Sequence, residues 1–338
     1  MKNLTPDEKN LLITLLHRGL EGGETEVYLR DNWGRKKTPD IHIPEDKHGR
    51  IELAQKSGDR LTEMGYLTYD KANHRWKISS KGIELALQDP SINFEPLDVE
   101  ACLTETLDRA VFHPLPKDDP EYPGETPIPW LYQPGDCRLV LVLGENAGGK
   151  SFFRRVLQFI THWGRKGHGW GDNDIPRGPF PVRELIHISM EGRTAGGIVS
   201  GFVYGTEKWR STGENSANTV RTGITTAEGR GHTSIMYWDE PDIGMSAGTA
   251  AGAGQTIRDF VREANPLVQM ICVTSHSPAL VQQLRDLNPH YIYLGDANGP
   301  ATLDDWFEYQ VNPRPVTPDE VLETSHHRYR LINRILKG

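Results

Sequence analysis

The chain has 338 residues, of which 36% are hydrophobic and 25% charged, and it carries a formal net charge of −8. This composition is typical of a globular protein with one or two domains, and no apolar run approaches the roughly 20 residues that span a bilayer. The sequence starts without a signal-peptide pattern and its three cysteines lie far apart, which predicts a cytoplasmic protein without a disulfide framework, a zinc site or a membrane partner.

Residues 1–88 are predicted to form a small α+β module. The sequence Thr5-Pro6-Asp7-Glu8 is a capping box with proline at the first helical position, and apolar side chains then recur at helical spacing. Capping, periodicity and turn residues together predict the following elements: helices over 5–19, 50–64 and 79–87, and strands over 66–69 and 75–78. This order of helix, helix, hairpin and helix resembles a winged helix-turn-helix.

The winged-helix resemblance raises the question of DNA binding. Residues 1–88 carry 15 Lys and Arg against 14 Asp and Glu, so the net negative charge belongs to the rest of the chain. Basic side chains on the second helix and in the wing are the candidates for contacts with phosphates or base edges: Lys56, Arg60, Lys71, His74 and Arg75. The alternative is a solvated helix face on a module that binds protein.

A proline-rich and acidic stretch over 89–129 is predicted to be a linker. The apolar run Leu139–Leu143 that follows predicts a buried strand, and it leads into the pattern G-x-x-x-x-G-K-S. Glycines let such a loop curl into a nest of N–H donors, the next helix adds its positive dipole end, and the lysine supplies a charge for the β and γ phosphates. The residues expected to bind nucleotide here are Gly144, Glu145, Asn146, Ala147, Gly148, Gly149, Lys150, Ser151 and Phe152.

A second apolar strand over 234–238 ends in Asp239-Glu240-Pro241. Carboxylates at the carboxyl end of a strand in an open α/β sheet lie where such sheets bind ligands. Asp239 is therefore predicted to hold Mg²⁺ together with the Ser151 hydroxyl, and Glu240 to polarise an attacking water. The alternative is that the two acids merely begin a surface loop.

Two further motifs share this order along the chain. Ser211-Thr-Gly-Glu214 precedes the acidic strand, and the buried run 268–274 ends in Ser275-His276-Ser277. A second capping box at Thr317 begins a predicted C-terminal helix that carries several arginines.

Taken together, the glycine loop, Ser-x-Gly-Glu, Asp-Glu-Pro and Thr-Ser-His-Ser-Pro resemble the ABC-type ATPase superfamily over about residues 130–300. The nearest branch is that of soluble ATPases similar to RecF, the structural-maintenance-of-chromosomes heads and the overcoming-lysogenization-defect proteins. The expected architecture is a P-loop NTPase α/β sheet of ABC type over 130–338, preceded by the winged-helix-like domain.

The resemblance implies further roles for individual residues. Ser211, Gly213 and Glu214 would close on the γ-phosphate held by a second copy, so the active unit would be a head-to-tail dimer. His276 would contact the γ-phosphate, and Trp130 or Tyr132 would stack on adenine unless core packing uses them. A glutamine that the family places between the loop and the signature is not evident.

The expected function is an ATP-hydrolysing switch that requires Mg²⁺ and is coupled to DNA or to a partner effector. Its settings would be DNA repair, mobile-element biology or anti-phage defence. The alternatives are a P-loop phosphotransferase and a non-hydrolysing ATP-binding regulator. The first leaves the Ser211 motif and His276 unexplained.

Overall fold

The computed structural model describes residues 4–21, 26–29, 51–53, 55–71, 75–92, 94–161, 180, 182–189 and 211–337. The chain divides into two compact units, one of residues 1–96, 225–234 and 263–268, the other of residues 97–224, 235–262 and 269–338. No helix within these described residues is long and apolar enough to cross a membrane.

Within the residues that the structure describes, the first unit contains three complete helices and a four-stranded sheet in the order β2-β1-β4-β3. Its elements are α1 (Pro6–Glu21), β1 (Glu26–Leu29), β2 (Ile51–Leu53), α2 (Gln55–Glu63), β3 (Leu67–Asp70), β4 (Arg75–Ile78) and α3 (Ser80–Ala86). The predicted capping box is present, since the Thr5 hydroxyl accepts from the Glu8 N–H and the Glu8 carboxylate accepts from the Thr5 N–H. Leucines of α1 pack with the fully buried Trp76 to form the core of this unit.

The predicted helix over 50–64 is wrong at its start. Residues Ile51–Leu53 form β2, which pairs in parallel with β1, and the helix begins only at Gln55. The apolar residues Ile51 and Leu53 fit both a helix and a strand, so their spacing cannot separate the two. The pairing with β1 decides the outcome.

The second unit is built on a six-stranded, mostly parallel sheet in the order β5-β10-β6-β9-β8-β7. The elements in chain order are α4 (Val99–Leu107), β5 (Trp130–Gln133), β6 (Leu139–Leu143), α5 (Lys150–Thr161), β7 (Glu184–Ile188), α6 (Thr212–Glu228), β8 (Ser234–Asp239), α7 (Ala247–Glu263), β9 (Val268–Thr274), α8 (Pro278–Gln282), β10 (His290–Leu294), α9 (Leu303–Val311) and α10 (Pro318–Lys337). Only β5 is shown to run antiparallel to its neighbour, β10.

The two central strands of this sheet, β6 and β9, have the burial that their sequences predict. Every residue of β6 and of β9 is buried, and the two strands pair in parallel. A strand covered on both faces is expected to be rich in apolar residues, and β6 is apolar throughout while β9 is apolar over residues 270–273. The predicted strand over 139–143 and the one over 268–274 are confirmed.

The predicted linker over 89–129 is wrong. This stretch contains α4, capped by the Asp98 carboxylate, and a short 3₁₀ turn over 110–112. Leu103, Phe112 and Ile128 are buried in the same core as the sheet. Prolines and acidic residues separate these apolar side chains in the sequence, so no regular apolar spacing is visible there. The second unit begins near residue 97 rather than at residue 130.

We expect Leu103→Ala to lower the free energy of unfolding by about 2–5 kcal/mol, because Leu103 is fully buried and its loss leaves a cavity. Urea unfolding measures this change. The neighbouring Thr104 is exposed on the same helix, and Thr104→Ala should stay within about 0.5 kcal/mol of the natural protein. A Leu103→Ala effect as small as the Thr104→Ala effect would mean that this stretch is a linker after all.

Candidate functional site

The loop between β6 and α5, residues 144–149, has a backbone that only glycine tolerates at several positions. Gly144 and Gly149 have φ values of 141° and 102°. A Cβ at Gly144 would lie 2.3 Å from the Leu294 carbonyl oxygen, and one at Gly148 would lie 2.7 Å from the same oxygen. The close approach of β10 therefore requires glycine at positions 144 and 148. We call residues 144–149 the glycine loop.

Lys150 begins α5 directly after the glycine loop, and its side chain is 8% exposed. Its Nζ donates to the carbonyl oxygens of Gly144 at 2.9 Å and Glu145 at 3.2 Å. Burial lowers the pKa of Lys150, while the nearby carboxylates of Glu240, Asp239 and Glu145 act in the opposite direction. The amino group is thus held inside the loop and facing an acidic cluster.

Asp239 is the last residue of β8 and is held from two sides. Its Oδ1 accepts a 2.7 Å hydrogen bond from the Thr274 hydroxyl at the end of β9, and its Oδ2 lies 3.8 Å from Nε2 of His187 on β7. Burial alone would raise the pKa of Asp239, but His187, Thr274 and the charge of Lys150 outweigh it and lower the pKa. An ionised carboxylate is therefore fixed at this end of the sheet.

Glu240 follows in a left-handed backbone conformation, with φ of 51°. Its N–H is held by the Thr274 hydroxyl at 2.9 Å, and its Oε1 lies 3.3 Å from Nε2 of His276. His276 lowers the pKa of Glu240 against the opposing effect of burial. The turn directs a second ionised carboxylate back toward Lys150.

His276 joins the lysine to the glutamate through one ring nitrogen. Its Nε2 lies 2.8 Å from the Lys150 Nζ and 3.3 Å from Glu240 Oε1. A neutral ring with its proton on Nδ1 accepts from Lys150, whereas a ring protonated at Nε2 donates to Glu240. The two arrangements exclude each other, so the protonation of His276 selects which neighbour it holds.

Two predicted metal ligands have the donor chemistry that Mg²⁺ requires. The Ser151 side chain is exposed at the start of α5, and Asp239 presents an ionised carboxylate. Mg²⁺ is commonly bound by one or two carboxylates together with phosphates and water, so hydroxyl and carboxylate oxygens fit it. Within the described residues, no group of three or more His, Cys, Asp or Glu side chains is arranged to hold a metal ion on its own.

The Ser211 motif lies apart from this cluster as far as the described contacts go. Ser211 and Glu214 bond to each other as a capping box at the start of α6. A Cβ at Gly213 would approach the Gly244 carbonyl oxygen at 3.0 Å, and the Ser216 hydroxyl donates to the Ile243 carbonyl oxygen. These contacts place the motif beside the turn that follows Glu240.

Several residues at the site were not predicted from the sequence. Thr274 donates to Asp239, His187 Nε2 lies 3.8 Å from the same carboxylate, and the guanidinium of Arg328 on α10 donates to the carbonyl oxygens of Ala147 and Gly295. Thr274 is the first residue of the Thr-Ser-His-Ser-Pro motif, but the motif alone did not assign it a bond to Asp239. His187 and Arg328 belong to other elements, and no local pattern links them to the loop.

Two aromatic candidates for base stacking are engaged elsewhere. The Trp130 Nε1 donates to the Phe112 carbonyl oxygen at 3.1 Å, and Trp130 packs against the core of the second unit. The Tyr132 hydroxyl lies 2.9 Å from Nδ1 of His290, and the two rings are stacked. Tyr132 thus joins β5 to β10, and Trp130 joins β5 to the 3₁₀ turn over 110–112.

No protein-family model matches this chain, and no curated protein matches its sequence. The chemistry of the site therefore has to be inferred from its own geometry. A buried cation, two ionised carboxylates and an imidazole meet around a loop of glycines and the start of a helix, at one end of a mostly parallel sheet.

Proposed function

We propose that this protein binds and hydrolyses ATP as an ABC-type switch ATPase. The observation that carries the proposal is the convergence of Lys150, Glu240 and His276, which follow three different strands. His276 Nε2 lies 2.8 Å from the Lys150 Nζ and 3.3 Å from Glu240 Oε1. Asp239 is placed beside them by Thr274. Ligands of open α/β sheets bind at such strand ends, and this set of groups suits a phosphate chain with a metal and a water.

In the proposed reaction, the N–H groups of the glycine loop and the positive end of α5 hold the phosphates. Lys150 would place its charge against the β and γ phosphates, and Ser151 and Asp239 would hold Mg²⁺, whose charge would offset that of the phosphates. Glu240 would accept a proton from the attacking water as the water oxygen bonds to the γ-phosphorus, the bond from that phosphorus to the bridging oxygen would break, and ADP would leave. His276 would donate to a γ-phosphate oxygen once it no longer accepts from Lys150.

We further propose that two copies associate head to tail and that Ser211, Gly213 and Glu214 of each copy complete the site of the other. The exposure of Ser211 and Glu214 supports this role. A dimeric enzyme of this kind gains specific activity as its concentration rises through the dissociation constant of the dimer. Turnover measured over a range of protein concentrations tests that expectation.

The two alternative functions, a phosphotransferase and a non-hydrolysing regulator, predict different amounts of released phosphate. A phosphotransferase would release little phosphate until an acceptor hydroxyl is supplied, and a regulator would bind ATP without releasing phosphate. Phosphate release measured without an acceptor, in the presence and absence of DNA, separates these from an ATPase. Steady release without any acceptor is the result expected here.

The first unit is proposed to couple the ATPase to a partner. Its ion pairs favour a protein effector over DNA. Arg60 donates to the carboxylate of Glu8, which is 3% exposed, and Arg75 pairs with Asp70 at 3.2 Å. Two of the predicted DNA contacts are thus already neutralised. Lys71 is exposed, whereas His74 and the side chain of Lys56 lie outside the described part of the chain.

We expect the double variant Lys56→Glu with Lys71→Glu to bind duplex DNA no differently from the natural chain, because the paired arginines leave little net positive charge on this unit. Fluorescence anisotropy of a labelled duplex at two salt concentrations, with and without ATP, measures the affinity. Binding that falls steeply with salt and is lost in the double variant would instead place DNA on the N-terminal unit. ATP-dependent binding retained in the variant would place it on the dimerised ATPase units.

A further inference from the structure

A cavity of about 570 Å³ opens beside the glycine loop. Its walls are Glu145 and Asn146 of the loop, the turn over 295–301 that follows β10, and side chains of α9 and α10. The strand β6 lies between β9 and β10, and the chain continues from β6 to the far edge of the sheet on the β9 side. The cavity therefore opens beside the carboxyl ends of β6 and β10, where doubly wound sheets bind ligands.

The walls of the cavity are fastened to the glycine loop by direct hydrogen bonds. The Tyr309 hydroxyl donates to Glu145 Oε1 at 3.0 Å, and Arg328 donates to the carbonyl oxygens of Ala147 and Gly295. Gly295 has φ of 104°, and a Cβ there would lie 2.7 Å from the Gly148 Cα. A ligand on the loop and a ligand in the cavity would thus share one continuous surface.

The charges of the cavity favour the uncharged end of a nucleotide over its phosphates. Five carboxylates line it against two guanidinium groups, and both guanidiniums have partners already. Arg314 pairs with Glu320 at 2.6 Å, and Arg328 is turned to its two carbonyl oxygens. The lining acids are Glu145, Asp296, Asp305, Glu320 and Glu323. Such a surface repels a polyphosphate and accepts hydrogen bonds from hydroxyl and amine groups.

Size and aromatic content agree with the charges. Pockets for small molecules commonly measure roughly 300–1,000 Å³, a range that includes this one. Tyr309 lines the cavity with a half-buried ring, and rings of this kind stack on nucleobases. The aromatic alternatives near β5, Trp130 and Tyr132, are already used in packing.

We propose that this cavity binds the nucleoside end of the nucleoside triphosphate whose phosphates lie on the glycine loop. The inference rests on the proposed function, because it needs the loop to bind phosphates. It adds that α9 and α10, rather than an aromatic side chain near β5, recognise the base and the sugar.

The test fills the cavity with Val321→Trp on α10. Val321 lines the cavity, whereas its neighbour Leu322 is 56% exposed and does not, so Leu322→Trp is the matched control. Calorimetry on the full chain measures the dissociation constants of two probes, MgATP and Mg-tripolyphosphate. Val321→Trp should weaken ATP binding by roughly tenfold or more and leave tripolyphosphate binding unchanged, because the second probe has no nucleoside to displace. Leu322→Trp should change neither.

The outcomes separate this inference from the function on which it rests. If the natural chain binds neither probe, the proposal that the glycine loop binds phosphates is wrong, and the cavity proposal is overturned as well. If ATP binds Val321→Trp as well as it binds the natural chain, or if both probes are weakened equally, the cavity proposal alone is overturned. Thermal melting establishes that each variant is folded, and Ala301→Trp, at an exposed position on the opposite wall, repeats the test if Val321→Trp does not fold.

Discussion

Lys150→Ala is expected to weaken ATP binding by roughly 100-fold or more, since contacts to a charged group contribute about 1.5–3 kcal/mol each and this amine would make several with phosphate. Its Nζ is held inside the glycine loop by the carbonyl oxygens of Gly144 and Glu145. Calorimetric titration with MgATP gives the dissociation constant directly.

The matched control for this substitution is Arg155→Ala on the same helix. Arg155 is exposed, and Arg155→Ala removes the same formal charge from α5 as Lys150→Ala does. Long-range electrostatic effects therefore change similarly in the two variants, while the control keeps the lysine of the glycine loop. Its ATP affinity should change by less than about threefold, because exposed charges are screened by solvent and salt. If Lys150→Ala binds ATP as tightly as the control does, the glycine loop is not the phosphate site.

Glu240→Gln is expected to lower turnover by roughly 10²–10⁴-fold while ATP affinity is retained. Glutamine keeps the size of the side chain and can still bond to His276, but it cannot accept the proton of water. ATP would then persist in the site and hold two copies together. Phosphate release gives the rate, and size-exclusion chromatography with ATP and Mg²⁺ gives the dimer.

Asp242→Asn serves as the control two residues away. Asp242 accepts a 3.1 Å hydrogen bond from the Ser275 hydroxyl, and burial raises its pKa. Among the described contacts it bonds to neither Lys150 nor His276. Its turnover should fall far less. A Glu240→Gln protein that hydrolyses ATP at the natural rate and elutes as a monomer would contradict both the role of Glu240 and the composite site.

The parts of the fold that the sequence predicted are those whose signals are local. The helix starts at Thr5 and Thr317 are fixed by capping boxes within four residues, and both are present. The buried strands β6 and β9 are recognisable from apolar residues that follow one another over 139–143 and 270–273. In contrast, β2 is decided by its partner β1, and α4 is decided by the core that it covers. Neither of those determinants lies within the segment itself.

The residues of the candidate site likewise fall into those predicted from local sequence and those positioned by distant elements. The glycine loop and the acids after β8 were predicted because their residues are adjacent in sequence. The sequence also anticipated His276, but only through motif order, since 126 residues separate it from Lys150. The positions of His187 and Arg328 depend on sheet order and on the docking of α10, and a single sequence carries no pattern that specifies either.

The contacts of Arg328 have a consequence for how the protein is made. Ala147 and Arg328 are 181 residues apart, so at the roughly 5–20 residues per second of protein synthesis a growing chain waits on the order of ten to forty seconds between them. During that interval the left-handed Ala147 lacks the guanidinium that holds its carbonyl oxygen. The glycine loop therefore gains this hydrogen bond only after α10 has been synthesised, and an incomplete chain on the ribosome holds the loop without it.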